Sequence, residues 1–218
     1  MKNYFISDLH LFHENALRFD QRPFDTVDEM NAIIYNNWNS VVTNEDFVYI
    51  LGDISMKVNE EIIALVSKLK GHKILIKGNH DKLTDHRYRT LFDDIVDYAE
   101  ISVGIKQPNN QTRSFNLVLS HYPILMWKNQ HHNYIHLYGH VHNSVEESVY
   151  QEALKQLKIS KKKRLPELDE TYFDENFLAF NVGCMMPYIN YRPQTLEHIL
   201  KYGKIYVQEE QYKNLRIK

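Results

Sequence analysis

Two histidines stand one residue apart in "HLYGHVHNS", residues 136–144, with Gly139 directly before His140 and His142 following Val141. The same spacing recurs near the N-terminus, where "SDLHLFH" carries Asp8 and His10. In a strand, residues i and i+2 share a face with Cα atoms about 6.5–7 Å apart. Each pair could therefore grip one metal ion, or place one ligand on each of two neighbouring ions. Three further strings carry the same donor types: Gly52-Asp53, Gly78-Asn79-His80-Asp81 and Ser120-His121. Asp8, His10, Asp53, Asn79, His121, His140 and His142 offer oxygen and imidazole donors with no thiolate among them. Such a set favours divalent ions of the Mn²⁺, Fe²⁺ or Zn²⁺ kind. It is too large for one tetrahedral site and suits two ions sharing a bridge. Two such ions, set against Asp8, Asp53 and a hydroxide, leave a net positive seat for a phosphate ester. Singly, each fragment has a plainer reading: a solvent-facing histidine pair, Asp8 as a helix cap, His121 as a core histidine. Their recurrence argues for a site.

Each string follows an apolar run: "NYFIS", "DFVYIL", "KILIK", "FNLVLS" and "IHLYG". Those runs read as strands, and α/β sheets place their ligands at the carboxyl ends of strands. Between the early strands lie helix patterns. "TVDEMNAIIYNNWNSVV" has Thr26 and Glu29 as a capping-box pair and an apolar stripe at Val27, Met30, Ile33, Ile34 and Trp38. "NEEIIALVSKLKG" carries a second stripe, with Gly71 as its stop. A helix is expected over 85–92 and another in "PQTLEHILKYG". "IVDYAEISVGIK" and "SFNLVLS" read as antiparallel strands around the turn "PNNQ". Strand and helix alternate in the first half, and strands dominate the second. The expectation is one α/β domain over residues 1–218, on mixed sheets with helices outside.

An inserted segment is expected at 143–175. Tyr150, Leu154 and Leu157 form a helical stripe there that needs an apolar surface to cover. The segment follows His142 directly, so it is expected to form a lid or wall at the mouth of the site. Its run Lys161-Lys162-Lys163-Arg164 reads first as a solvated face.

Composition removes whole classes of function. A chain of 218 residues with net charge -2 has no global field that draws nucleic acid or an anionic membrane. Its lone cysteine, Cys184, rules out an internal disulfide and a cysteine-built zinc site. No apolar window is long enough for a membrane span. The apolar core of "MKNYFISDLH" is too short for a secretory signal, so a cytoplasmic protein is expected.

In order, "SDLH", "GD", "GNHD", "SH" and "GHVH" resemble the five blocks of the calcineurin-like metallophosphoesterase superfamily, across residues 7–142. "LHLFHEN…RPF", "NVG" and "YRPQTLEHIL" resemble a subgroup of small bacterial and phage-type members. The resemblance implies a four-layer sandwich, two mixed β-sheets packed together with helices on both outer faces. It implies that Asp8, His10, Asp53 and His142 hold a first ion and Asp53, Asn79, His121 and His140 a second, with Asp53 bridging. The ions implied are two Mn²⁺ foremost, with Fe, Zn, Ni or Co as substitutes. The reaction implied is hydrolysis of a phosphomonoester or phosphodiester by in-line attack of a bridging hydroxide. His80, the motif histidine not spent on metal, is then the catalytic residue that faces the phosphoryl group and protonates the leaving alkoxide.

His13 and Asp81 are assigned to the substrate side: His13 over the phosphate, Asp81 hydrogen-bonded to His80. Their plain alternatives are a loop histidine packing on "RPF" and an ordinary surface aspartate. After Asp53 the chain runs "ISMKVNEE" and lacks the "VDRG" of protein serine/threonine phosphatases, so phosphoprotein substrates are not expected. The expected partner is a small phosphate ester, nucleotide-derived esters included. A nuclease is the second reading, with only "KKKR" as a basic stripe. A metal-stabilised scaffold without activity is the third, disfavoured because His80 and every ligand are present. The sequence leaves the oligomeric state open.

Overall fold

The computed structural model describes residues 1–209. Its elements run in chain order, beginning with β1 (Asn3–Ile6), α1 (Glu14–Phe19), α2 (Val27–Val41), β2 (Phe47–Ile50) and α3 (Glu60–Ser67). Next come β3 (His72–Ile76), α4 (His86–Arg89), β4 (Asp94–Val96), β5 (Tyr98–Lys106), β6 (Thr112–Ser120) and β7 (Ile135–Tyr138). The chain continues through α5 (Val145–Arg164), α6 (Glu170–Glu175), β8 (Ala179–Asn181), β9 (Gln194–Thr195) and α7 (Leu196–His198), which runs into a π turn at Ile199–Gly203.

Two mixed sheets result. The first has the order β4-β3-β2-β1-β9 and the second β5-β6-β7-β8. In the first, β1 to β4 are parallel and only β9 is antiparallel. The second joins an antiparallel hairpin, β5–β6, to the parallel strands β7 and β8. Side chains of both sheets, among them Phe5, Ile50 and Leu75 of the first and Leu117, Leu137 and Phe180 of the second, meet in one buried core. The helical stripe of α2 joins that core through Met30, Ile34 and Trp38. Thr26 caps α2 by accepting from the Glu29 amide, and Asn59 caps α3 by accepting from Ile62.

Strand alternation decides what the second sheet's other face does. Leu117 and Leu119 point into the shared core, whereas Val118 and Tyr138 point the opposite way and pack with Tyr150, Leu154 and Phe177. Helix α5 is therefore a layer of the sandwich laid on the second sheet. This corrects the expectation of a lid over 143–175: the apolar stripe of α5 is consumed by the sheet. Among the described residues of the segment, Ser144 and Glu146 at its start are the ones that reach the cavity described below. With a rise of about 1.5 Å per residue, a helix of 20 residues carries Lys161 to Arg164 to the end remote from that cavity.

Three local expectations also change. The run "IVDYAEISVGIK" is not one strand, because it breaks at Asp97 and supplies β4 to the first sheet and β5 to the second. The helix expected over 85–92 is a single turn. Helix α1 has no periodic signature in the sequence, since its six residues bury only Ala16.

Candidate metal centre

The carboxyl ends of the two sheets are joined directly. Ser7, just past β1, bridges in parallel to Gly183, just past β8, and the Cys184 amide donates to the Ser7 carbonyl at 2.8 Å. The donor-bearing loops start from this seam. Asp8 and His10 do not lie in a strand, and neither do His140 and His142, because β1 ends at Ile6 and β7 at Tyr138. The shared-face expectation for these pairs is thus corrected. Asp8, His10, Asp53, His140 and His142 all have φ between 48° and 70°. Non-glycine residues rarely occupy that left-handed region, and such positions persist where the surrounding structure holds them. Here the hold is visible: the amides of Asp8 and His10 donate to the carbonyls of Gly52 and Asp53.

Two donor groups follow. Asp8, His10 and His142 form the first, Asp53, His121 and His140 the second, and within each group the donor atoms lie within 4.8 Å of one another. The histidines of the 140/142 pair are thereby divided, one to each group. In the first, His10 Nε2 and His142 Nε2 face each other at 3.2 Å, with Asp8 Oδ1 3.7 Å from His142 Nε2. In the second, His121 Nε2 lies 3.5 Å from Asp53 Oδ2 and 3.0 Å from Asn79 Oδ1. Asp53 Oδ2 is also 4.0 Å from His10 Nε2, so the same carboxylate oxygen looks onto both groups.

The donor chemistry fits cations. His142 Nδ1 is 2.6 Å from Asp20 Oδ1, and His121 Nδ1 is 2.7 Å from the Leu51 carbonyl. Both acceptors require a proton on Nδ1, which leaves a bare lone pair on each Nε2. Those lone pairs face other acceptors or each other inside the protein, a repulsive arrangement that a shared cation resolves. Without metal, a proton takes that place. Burial works against it, but the hydrogen bond to Asp53 and the charges of Asp8 and Asp53 push His121 up to about 9. In turn Asp53, despite burial, is held down to about 2 by His121 and the His80 amide. Burial raises Asp8, and burial with the neighbouring His142 and Arg22 presses His10 down to about 3.

A consequence can be measured. Were His121 to hold a cation, binding would expel its proton, so at pH 7.5 a calorimetric titration in buffers of differing protonation enthalpy should show about one proton released from this group. The release should fade as the pH passes about 9. A folded pKa above the ordinary 6.5 also means that His121 stabilises the metal-free fold fully below pH 6.5, a contribution lost as the pH rises through about 9. Proton release that does not vary between pH 7 and 10 would remove His121 from the site.

Glycine makes the approach of these loops feasible. A Cβ on Gly139 would collide with Ser7 Oγ and stand 2.5 Å from Asp8 Oδ2. Gly52, at φ +88°, leaves the same kind of room beside the His121 ring.

The remaining sequence-selected residues separate. His80 belongs to neither group; its amide donates to Asp53 Oδ1 at 2.9 Å and its Nε2 lies 4.0 Å from Asp53 Oδ2. His13 lines the same cavity as His10 and His80, with its ring 5.7 Å from those of His10 and Phe19. Asp81 is buried and its carboxylate accepts the amides of Asp53, Ile54 and Gly78. The hydrogen bond expected from Asp81 to His80 is therefore replaced: both oxygens are committed to backbone, and Asp81 shapes the Asp53 and Asn79 loops.

Asp20 and Arg22 carry roles the sequence did not reveal. Besides meeting His142, Asp20 accepts from Arg22 Nε and Nη2 at 2.9 and 2.7 Å. The buried Arg22 also donates to the carbonyls of Asp8 and Leu9. One guanidinium thus ties the Asp8 loop to the carboxylate that fixes His142. A short acid–base pair inside "FDQRPF" was the only available signal.

The sequence model of the calcineurin-like phosphoesterase family matches residues 1–184. The chain belongs to that family. Among its relatives, an uncharacterized protein of Methanocaldococcus jannaschii is 41% identical over 92 residues, 41% of this chain and 52% of that protein. The gene 66 protein of Mycobacterium phage L5 is 32% identical over 130 residues, 55% of this chain and 62% of that protein. The matches span 52 to 63% of the length of these curated relatives, including the gene 66 protein of phage D29. A crystal structure of a protein of unknown function from Aquifex aeolicus shares the fold, with a TM-score of 0.58, 24% identity and coverage of 92% of this chain and 98% of that one. This member of the calcineurin-like phosphoesterase family carries two candidate metal-binding groups, and among its described residues no helix is long and apolar enough to cross a membrane.

Proposed function

We propose that the protein is a binuclear metal-dependent hydrolase of phosphoric esters. The observation that carries this reading is the placement of Asp53 Oδ2, 3.5 Å from His121 Nε2 in its own donor group and 4.0 Å from His10 Nε2 in the other. Asp8, His10, Asp53 and His142 would hold one ion, and Asp53, Asn79, His121 and His140 the other. Mn²⁺ is the ion proposed, with Fe, Zn, Ni or Co as alternatives that the imidazole and carboxylate donors also accommodate. Bound there, such ions would supply a hydroxide at neutral pH and neutralise charge on the phosphoryl oxygens.

The chain's own residues do the rest. Asp20 holds a proton on His142 Nδ1 and so keeps Nε2 available, as partners of metal-bound histidines commonly do. His80, half-open to the cavity and free of both groups, is placed to meet the phosphoryl group and to give a proton to the leaving oxygen. His13 lies where it meets the substrate from the same side.

The test is a Mn²⁺ titration joined to a hydrolysis assay on p-nitrophenyl phosphate and its bis ester. Saturation near two ions per chain is expected, with turnover appearing only as the second ion binds, and loss of the second ion in Asn79→Ala. Full turnover at one ion per chain, with Asn79→Ala unchanged, would overturn the binuclear assignment.

A further inference from the structure

Two exposed aromatic rings flank the centre. Phe19, at the end of α1, lies with its ring 5.4 Å from that of His142 and 6.0 Å from that of His10, yet is 53% exposed. Tyr122 stands beside the other group, its ring 4.5 Å from His140 and 5.0 Å from His121, and is 49% exposed. Each half of the centre therefore has its own open ring.

Neither ring sits on a loose loop. Phe19 adjoins Asp20, which is fixed by His142 and Arg22. Tyr122 follows His121, and its carbonyl accepts from Ser120 Oγ at 2.6 Å. The loop beyond it is held by the Ile124 amide on His136 Nε2 and by Tyr150 donating to the Ile124 carbonyl. Rigid, half-open rings offer contact area with little ordering cost.

The cavity between the α1 end and the start of α5 measures about 460 Å³, in the size range of small-molecule sites. None of its lining residues is lysine or arginine, and Glu146 adds a carboxylate to its rim. Phe19 is the phenyl ring of that lining, and Tyr122 stands outside it, beside the His121 and His140 rings.

We propose that the substrate is a small phosphodiester with a planar aromatic group on each side of the phosphorus, one stacking on Phe19 and the other on Tyr122. This rests on the phosphoesterase reading and specifies its substrate class. Aryl diesters and dinucleoside monophosphates share the required chemistry, and the test separates them.

The Mn²⁺-loaded protein is assayed with bis(p-nitrophenyl) phosphate, methyl p-nitrophenyl phosphate, p-nitrophenyl phosphate, a dinucleoside monophosphate and a single-stranded oligonucleotide. Two-ring diesters should be preferred, and the better of the aryl diester and the dinucleotide identifies the source of the rings. Removing one stacking ring, in Phe19→Ala or in Tyr122→Ala, should raise KM for two-ring substrates about tenfold. Tyr122→Phe, which keeps the ring, should retain the wild-type KM, and all three variants are checked for an unchanged metal content. Equal losses on the methyl diester and the two-ring diester would overturn the assignment of the rings. So would a preference for the monoester, or for the oligonucleotide with binding that collapses in salt. Hydrolysis without ring discrimination overturns this inference alone, whereas no hydrolysis of any substrate by protein holding two ions overturns the phosphoesterase reading and this one with it.

Discussion

His80→Ala is expected to lower kcat by about 10²–10⁴-fold, the usual range for loss of a general acid or base, with metal content unchanged. The separation of the two quantities follows from geometry. The His80 ring is not part of either donor group, and its side chain is 37% exposed toward the cavity. What His80 supplies to the centre's structure is its amide, which donates to Asp53 Oδ1 and survives the substitution. Metal analysis of the purified variant alongside steady-state kinetics decides the matter. A variant that loses metal in proportion to activity would make His80 a ligand or a structural residue.

Asp20→Ala should weaken the first-bound or second-bound ion, whichever occupies the Asp8–His10–His142 group, by about 10–100-fold, as loss of such supporting partners commonly does. The other binding step should stay near its wild-type value. Asp20 is depressed below the ordinary aspartate range: burial opposes this, but the His142 hydrogen bond and the Arg22 charge outweigh it. Removing the carboxylate frees His142 Nδ1 to lose its proton and the ring to turn. It also leaves the buried Arg22 guanidinium without a carboxylate, held by its carbonyl acceptors, Met30 Sδ and the Tyr191 ring, so a lowered Tm is expected as well. A two-step titration in which both affinities fall together would indicate general loosening of the fold. Unchanged affinities would show that Asp20 has no hold on the site.

Much of this protein was legible locally. The apolar runs ending in Asp8, Gly52-Asp53, Gly78-Asn79, His121 and Gly139-His140 became β1, β2, β3, β6 and β7. Strand propensity and a polar stop act over a few residues, so they can be read without the fold. The caps of α2 and α3 are short-range in the same sense, with Thr26 meeting Glu29 and Asn59 meeting Ile62.

What the chain does over long separations was hidden. Whether Asp94–Val96 pairs with β3 and Tyr98–Lys106 with β6 depends on which partner strand is free, and the residues themselves look alike in both. The stripe on α5 showed that an apolar surface was needed; that the surface was the back of the second sheet follows only from the alternation of Leu117, Val118 and Leu119 once their neighbours are in place. Asp20 reaches His142 across 122 positions of sequence, and no local pattern encodes that contact. The left-handed turns at Asp8, His10, Asp53, His140 and His142 are costly in isolation. Local preference argues against them, and only the closure of both sheets at Ser7 and Gly183, with loop carbonyls waiting for the amides of Asp8 and His10, makes them the lowest-energy path. Residue types determined what the site is built from, while the tertiary structure decided how those residues face one another.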